Sequence, residues 1–234
     1  HVKTDVDDEF DARVLAQCWM PFGKRQQICC EQIEITASQS RLEDLPNFVL
    51  GLMAPDLPVV LWCRTERLVS DSSFAKLFSL TDKIIIDTAT FRDTNSGVDV
   101  IRQLNSAGRN VVDLAWTRLT PLRGAVAQFF DDGEARKHLK EYKTVVIDYV
   151  GPNSPELAYL TQWFKTTLSI DVQTRQAKQD GAFAIQEIQF LAPDYSTSLV
   201  LGDRAYLPKL SDCDLIREEL SIIGIDPIFR KCLA

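Results

Sequence analysis

Apolar residues fall along this chain in two rhythms: a period of two near its start, then short apolar runs alternating with helical stripes. Arg13 to Met20 and Gln27 to Ala37 read as two strands joined by the turn-like stretch Pro21-Phe22-Gly23-Lys24. In the second, Ile28, Cys30, Ile33 and Ile35 interleave with Gln27, Gln32 and Glu34. The alternation slips once near Glu31, which predicts a bulge. With Met20 facing Gln27, Cys18 falls opposite Cys29.

The helical stripes begin at Pro46, where Phe48, Val49 and Leu52 share a face and Asp44 is placed to cap. Leu57 to Trp62 and Ile84-Ile85-Ile86 are apolar runs of buried strands, and Val111 to Leu114 is a shorter one. Between them, Asp71 with Phe74, Leu77 and Phe78, and then Val98, Ile101 and Leu104, read as helices. Thr120-Pro121 is an N-cap followed by an N1 proline, leading a helix with Leu122, Val126, Phe129 and Phe130 inside. Thr144 to Val150 is the next strand, and Ser154-Pro155 repeats the cap-and-proline device for a helix carrying Leu157, Leu160, Phe164 and Leu168.

This alternation predicts an α/β fold: a largely parallel sheet with flanking helices, preceded by an N-terminal hairpin. Past Ser169 the style changes. Asp171 to Ala177, Phe183 to Leu191 and Ser196 to Gly202 read as strands, and Ser211 with Asp214 forms a capping box ahead of Leu215, Ile216, Leu220 and Ile223. The expected organisation is therefore an α/β layer over residues 1–168 and a smaller C-terminal α+β unit over 169–234, packed on the first or continuing its sheet.

Composition narrows the function. Of 234 residues, 45% are apolar and 25% charged, and no apolar run approaches the ~20 residues of a membrane span. His1 to Phe10 is mostly polar and not a secretory signal; a start at His1 rather than Met implies a fragment, a processed form or a missing beginning. With 33 acidic and 26 basic side chains the net charge is -7, which repels a phosphate backbone. The densest basic cluster, Arg136, Lys137, His138 and Lys140, is hemmed by Asp131, Asp132, Glu134 and Glu141 and reads as a solvated helix face. Nucleic acid is not expected as a partner. Cys18, Cys29, Cys30, Cys63, Cys213 and Cys232 form neither a disulfide framework nor a C-x-x-C pair, so all six are expected reduced in a cytoplasmic protein. Cys18 and Cys29 are the pair that the strand register brings together and the candidates for a redox role.

No catalytic, metal or cofactor site is expected. The two histidines are His1 and His138, one terminal and one in the charged cluster. Nucleophile-elbow, zinc-protease, P-loop and dinucleotide-binding motifs are all missing. One segment stands apart, Asp113-Leu114-Ala115-Trp116-Thr117-Arg118-Leu119-Thr120-Pro121-Leu122-Arg123, which runs from a strand end into a helix N-terminus. Ligands of open α/β sheets gather at that edge, and a helix start favours an anion. Arg118, Thr120 and Arg123 are thus the candidate contacts for a phosphate or carboxylate. The same residues have architectural uses: Trp116 in the core, Asp113 paired with Arg118, Thr120 as a cap. Both readings stay open here. The run from Asp56 to Arg64 is a second candidate, a strand whose end presents Trp62 and Arg64.

These segments also carry a family likeness. Cys29-Cys30-Glu31-Gln32-Ile33, Asp56-Leu57-Pro58-Val59 with Leu61-Trp62, and Asp113 to Pro121 resemble the signature blocks of OpcA-type assembly subunits of bacterial glucose-6-phosphate dehydrogenase. The blocks around Leu160 to Leu168 and Leu220 to Leu233 fit too, so the resemblance runs in order from about Arg13 to the end. Cys63 and Leu122 stand where family members often carry Trp. The resemblance implies a non-catalytic assembly factor or allosteric activator whose partner is glucose-6-phosphate dehydrogenase. Trp62, Arg64, Trp116, Thr117, Arg118 and Arg123 would then form or support the partner-binding surface. The alternative is a protein or enzyme that takes a sugar phosphate or another anionic metabolite through Arg118 and Arg123.

Overall fold

Strands buried on both faces need cover on both sides, and the architecture follows from how the chain supplies it. The computed structural model describes residues 10–19, 28–54, 56–64, 66, 69, 75–131, 133–177, 182–201, 210–222 and 224–233. Strands β1 (Phe10–Trp19) and β2 (Ile28–Ala37) pair antiparallel from Phe10 opposite Ala37 to Trp19 opposite Ile28. The register runs through Ala16 opposite Glu31 without a break, so the expected bulge is absent. Both faces of β1 meet solvent, with Val14 and Leu15 largely exposed, and a strand open on both sides has no buried face to enforce strict alternation. The hairpin reaches the body of the protein through Phe10, which packs edge-on against Phe48, and through Ile35 and Ala37.

A 3-10 turn (Gln39–Asp44) runs straight into α1 (Leu45–Leu52). Asp44 is itself in the helical region and makes no side-chain cap, because the turn already continues the helical path; it faces Arg41 instead. Next, β3 (Val60–Cys63), β4 (Lys83–Ile86) and β5 (Val111–Asp113) form a three-stranded parallel sheet in that order. Helices α2 (Ala75–Ser79) and α3 (Thr94–Ser106) lie in the crossovers, and the expected helix start at Asp71 to Phe74 lies outside the described residues. After β5 come α4 (Leu114–Arg118), α5 (Thr120–Asp131) and α6 (Gly133–Lys137).

The second sheet is mixed. β6 (Thr144–Val150) lies between β7 (Asp171–Gln176), to which it is parallel, and β8 (Ala184–Leu191), to which it is antiparallel, and β9 (Ser196–Val200) completes the order β7-β6-β8-β9. Helix α7 (Pro155–Leu168) makes the β6–β7 crossover, and Ser154 caps it by accepting from the Leu157 amide. Among the described residues, β6, which the sequence placed with the first parallel layer, hydrogen bonds β7 and β8 of this second sheet. The expected boundary at Leu168 falls between α7 and β7, inside one β-α-β unit. Phe164, Phe190 and Tyr142, all buried, hold this sheet to its helices.

Helix α8 (Asp212–Leu220) starts at the capping box read from Ser211 and Asp214. It lays Leu215 on Ile85, Val112 and Leu114, a small second core rimmed by Val60, Trp62, Leu210 and Ile216. Helix α9 (Pro227–Leu233) was not foreseen, though its start carries the same signal as α7. Asp226 accepts from the amides of Ile228 and Phe229, and Pro227 occupies the first helical position. Among the described residues no helix is long and apolar enough to cross a membrane.

Candidate functional site

Parallel strands that end together bring their following residues to one edge. Here that edge holds Arg64 after β3, Asp87 and Thr88 after β4, and Asp113 to Arg118 at and after β5. Asp113 caps α4, its carboxylate accepting from the Ala115 amide at 2.9 Å. It also accepts from the Thr88 amide and hydroxyl and from the Tyr159 hydroxyl at 2.7 Å. No part of it meets solvent. Burial raises its pKa to about 6, against the pull of those four hydrogen bonds, and burial together with Asp113 pushes the Tyr159 hydroxyl well above its ordinary value. The anion at the start of α4 is thus the protein's own carboxylate.

Asp87 caps the 3-10 turn Thr88–Thr90 and receives Arg118. Both ends of the guanidinium donate, Nη1 at 2.7 Å and Nη2 at 2.6 Å, and Glu156 at the start of α7 stands 3.7 Å away. The hydrogen bond to Asp87 raises the Arg118 pKa, while burial raises that of Glu156. The expected Asp113–Arg118 pair is replaced by Asp87–Arg118. The reason is local: Asp113 turns back to cap its own helix, and Arg118 leaves that helix's far end toward β4. About a quarter of the Arg118 side chain stays accessible (27%).

Trp116 and Thr117 lie beneath the surface, 3% and 2% exposed. The Trp116 indole donates to Asp226 at 2.9 Å and its ring packs against Phe229 and Tyr159. Thr117 donates to Glu219 at 2.6 Å. The Arg123 guanidinium sits over the Trp116 ring, its carbon 3.6 Å from the ring centre, and donates to the Trp116 carbonyl and to Thr120. Thr120 opens α5 as its first residue and takes that bond from Arg123. Burial lowers the Arg123 pKa to about 10, against neighbouring carboxylates led by Asp226. Arg118 and Arg123 are committed to different partners and do not converge as the clamp that the sequence suggested. Trp116 and Thr117 therefore support the edge, while Arg118 reaches it.

Trp62 is half-buried at the rim of the core under α8, and Arg64, exposed, sits 4.9 Å above its ring. Cys63 and Leu122 are both buried. Cys18 and Cys29 face each other in the hairpin, Cα atoms 4.0 Å apart, and are joined as a disulfide. The expectation that all six cysteines are thiols is corrected at this pair, which cross-strand geometry brings within bonding distance. His138 stacks on Tyr195 and meets Glu141, as a solvated charged turn would.

The sequence reading missed Asp87, Thr88, Glu156 and Tyr159. A signal existed for one of them: Asp87 directly follows the buried run of β4, as Asp113 ends that of β5, so Ile86-Asp87 and Val112-Asp113 bring two aspartates to one sheet edge. Among the described residues no group of histidine, cysteine, aspartate and glutamate is arranged to hold a metal ion.

Two family models match the chain. Residues 1–103 fit the glucose-6-phosphate dehydrogenase subunit N-terminal domain of the OpcA type, and residues 109–233 fit the corresponding C-terminal domain. The junction between them falls ahead of β5, although β5 hydrogen bonds β4 within one sheet. Among curated proteins, the chain is 30% identical over 195 residues to an OxPP cycle protein OpcA of Synechocystis sp., covering 82% of this chain and 40% of that protein. It is 27% identical to the protein of the same name from Nostoc punctiforme, covering 82% and 41%. The chain thus spans less than half the length of the curated relatives it matches.

Proposed function

Because the chain belongs to the OpcA family of glucose-6-phosphate dehydrogenase subunits, we propose that it is a non-catalytic partner of that dehydrogenase. It promotes the enzyme's assembly or activates it allosterically, in the cytoplasm. The observation that carries this reading is the ordered match of both family domains across the chain. The site geometry supports it over the metabolite-binding alternative. Asp87 and Glu156 occupy Arg118, the Trp116 face occupies Arg123, and the start of α4 is filled by Asp113. The carboxyl edge of the three-stranded sheet, with Arg64 over Trp62 and the accessible side of Arg118, is the proposed docking surface. Arg64 and Arg118 are of the residue type enriched at hot spots, and a charge there guides association with an acidic counterpart.

The test mixes the purified chain with its own organism's glucose-6-phosphate dehydrogenase, following NADPH formation and sedimentation. The expected result is a complex at micromolar concentration with a raised rate, and no NADPH from glucose 6-phosphate with the chain alone. No complex and no change in rate would overturn the proposal.

A further inference from the structure

β7 is an edge strand. On one side it pairs in parallel with β6, and no described strand pairs with its other side. The Asp171 amide donates to Lys143 and the Ala177 amide to Tyr149, so the odd-numbered residues address β6. Backbone direction alternates along a parallel strand, which turns the N–H and C=O groups of Val172, Thr174 and Gln176 outward. Every residue of β7 except Val172 is exposed. Val172 faces the main core, leaving Asp171, Gln173 and Arg175 on the opposite face, where Arg175 grips Asp148 through Nε and Nη2.

We propose that this edge pairs with itself: two copies of the chain join β7 to β7, antiparallel, about a two-fold axis at Gln173. This stands apart from the dehydrogenase reading. Hydrogen bonding restricts the register and charge then selects it. Outward-facing Val172 and Thr174 of opposite copies fall in register as a hydrogen-bonded pair, which antiparallel geometry requires. The same register sets Asp171 opposite Arg175 of the second copy, twice by symmetry, with Nη1 of Arg175 left over from its grip on Asp148. Moving the centre to Val172 or to Thr174 loses this: Asp171 would then face Gln173 or Ala177. Charges on edge strands ordinarily repel a second edge. Opposite charges placed symmetrically about one residue attract it instead. Of the other edge strands of the two larger sheets, β3 and β9 carry no charged residue and β5 carries only the buried Asp113, so β7 alone among these edges sets exposed opposite charges about one residue. A two-fold axis perpendicular to the sheet keeps the helices of both copies on one side and makes a single continuous sheet. Six residues bury little area, so the expected dimer is weak, dissociating in the micromolar range.

Sedimentation velocity of the chain alone over a micromolar concentration series tests this. Asp171→Lys, which sets a lysine opposite Arg175, is expected to weaken the dimer at least about tenfold. Thr174→Pro removes an outward N–H without touching the ladder to β6 and is expected to do the same, with circular dichroism reporting that both variants fold. In a Cys213→Ser background, Gln173→Cys is expected to give an oxidatively cross-linked dimer, because residues at the axis form a close non-hydrogen-bonded pair. Thr174→Cys in that background should not cross-link. A chain that stays monomeric across the series overturns the proposal. So does a dimer indifferent to Asp171→Lys, or equal cross-linking from positions 173 and 174.

Discussion

Lys83, the first residue of β4, places its ammonium group on Glu219 at the end of α8, 2.7 Å from the carboxylate and 2.8 Å from the carbonyl of the same residue. Its third hydrogen goes to the Ile222 carbonyl at 2.7 Å, and the Lys83 side chain is 1% exposed. A buried lysine with all three donors used pins α8 to the sheet. Glu219 also receives Thr117, so one carboxylate ties α4, α8 and β4 together.

Lys83→Met is therefore expected to destabilise the fold by about 3–5 kcal/mol, because it strands a largely buried carboxylate and two carbonyls. Adding Glu219→Gln to Lys83→Met should recover part of that loss by removing the orphaned charge. Urea melts of the two variants check this. A Lys83→Met loss below about 1 kcal/mol would mean that water replaces the ammonium group.

Asp113 gives stability a pH dependence whose sign is fixed. Its folded pKa of about 6 lies above the ordinary 3.8, so its protonated form favours the folded state. The contribution is fully present below pH ~4 and is lost as pH rises through 6, by about 3 kcal/mol for two units. Asp113→Asn keeps the shape and lets the Thr88 and Tyr159 hydroxyls turn to accept, so this variant is expected to lack that fall between pH 4 and 6. The difference between the two stability–pH curves isolates Asp113 from all other groups. Parallel curves would show that the carboxyl titrates normally.

Local signals told much of this in advance, and long-range choices did not. Ser154-Pro155 and the Ser211–Asp214 box were legible because a cap is a contact within one turn. The disulfide pair was legible as a register, since hairpin pairing counts from its turn. The sheet that β6 joins was not legible, because Thr144 to Val150 reads as a buried strand whichever strands flank it. The partner of Arg118 was misread for the same reason. Two strand-end aspartates compete for it, and nearness in sequence favoured Asp113 although the fold presents Asp87.

The described cysteines should separate by reactivity. Cys213 is exposed, whereas Cys63 and Cys232 are buried and burial raises both thiols, Cys63 to about 12. In unreduced native protein a maleimide is expected to label Cys213 rapidly and Cys63 and Cys232 only on unfolding. Reduction should then expose Cys18 and Cys29, and opening that cross-link is expected to cost the hairpin about 2–3 kcal/mol. Mass mapping of labelled peptides reads the order, and rapid labelling of Cys18 without reductant would contradict the disulfide.

The last prediction separates docking from architecture at the sheet edge. Arg118 donates to Asp87 through both terminal nitrogens, so Arg118→Ala leaves a nearly buried carboxylate without its cation and is expected to lower stability by about 2–3 kcal/mol. Any fall in its affinity for the dehydrogenase would then mix lost contact with lost fold. Arg64 has no such duty: it is exposed and rests on the Trp62 ring. Arg64→Ala is therefore expected to leave the melting temperature within a degree or two while weakening the complex about tenfold, near 1.4 kcal/mol. Melting temperature and affinity measured on the same preparations of both variants give the answer. If Arg64→Ala binds as well as the parent, and Arg118→Ala loses affinity only in step with its stability, this edge is architecture and the partner docks elsewhere.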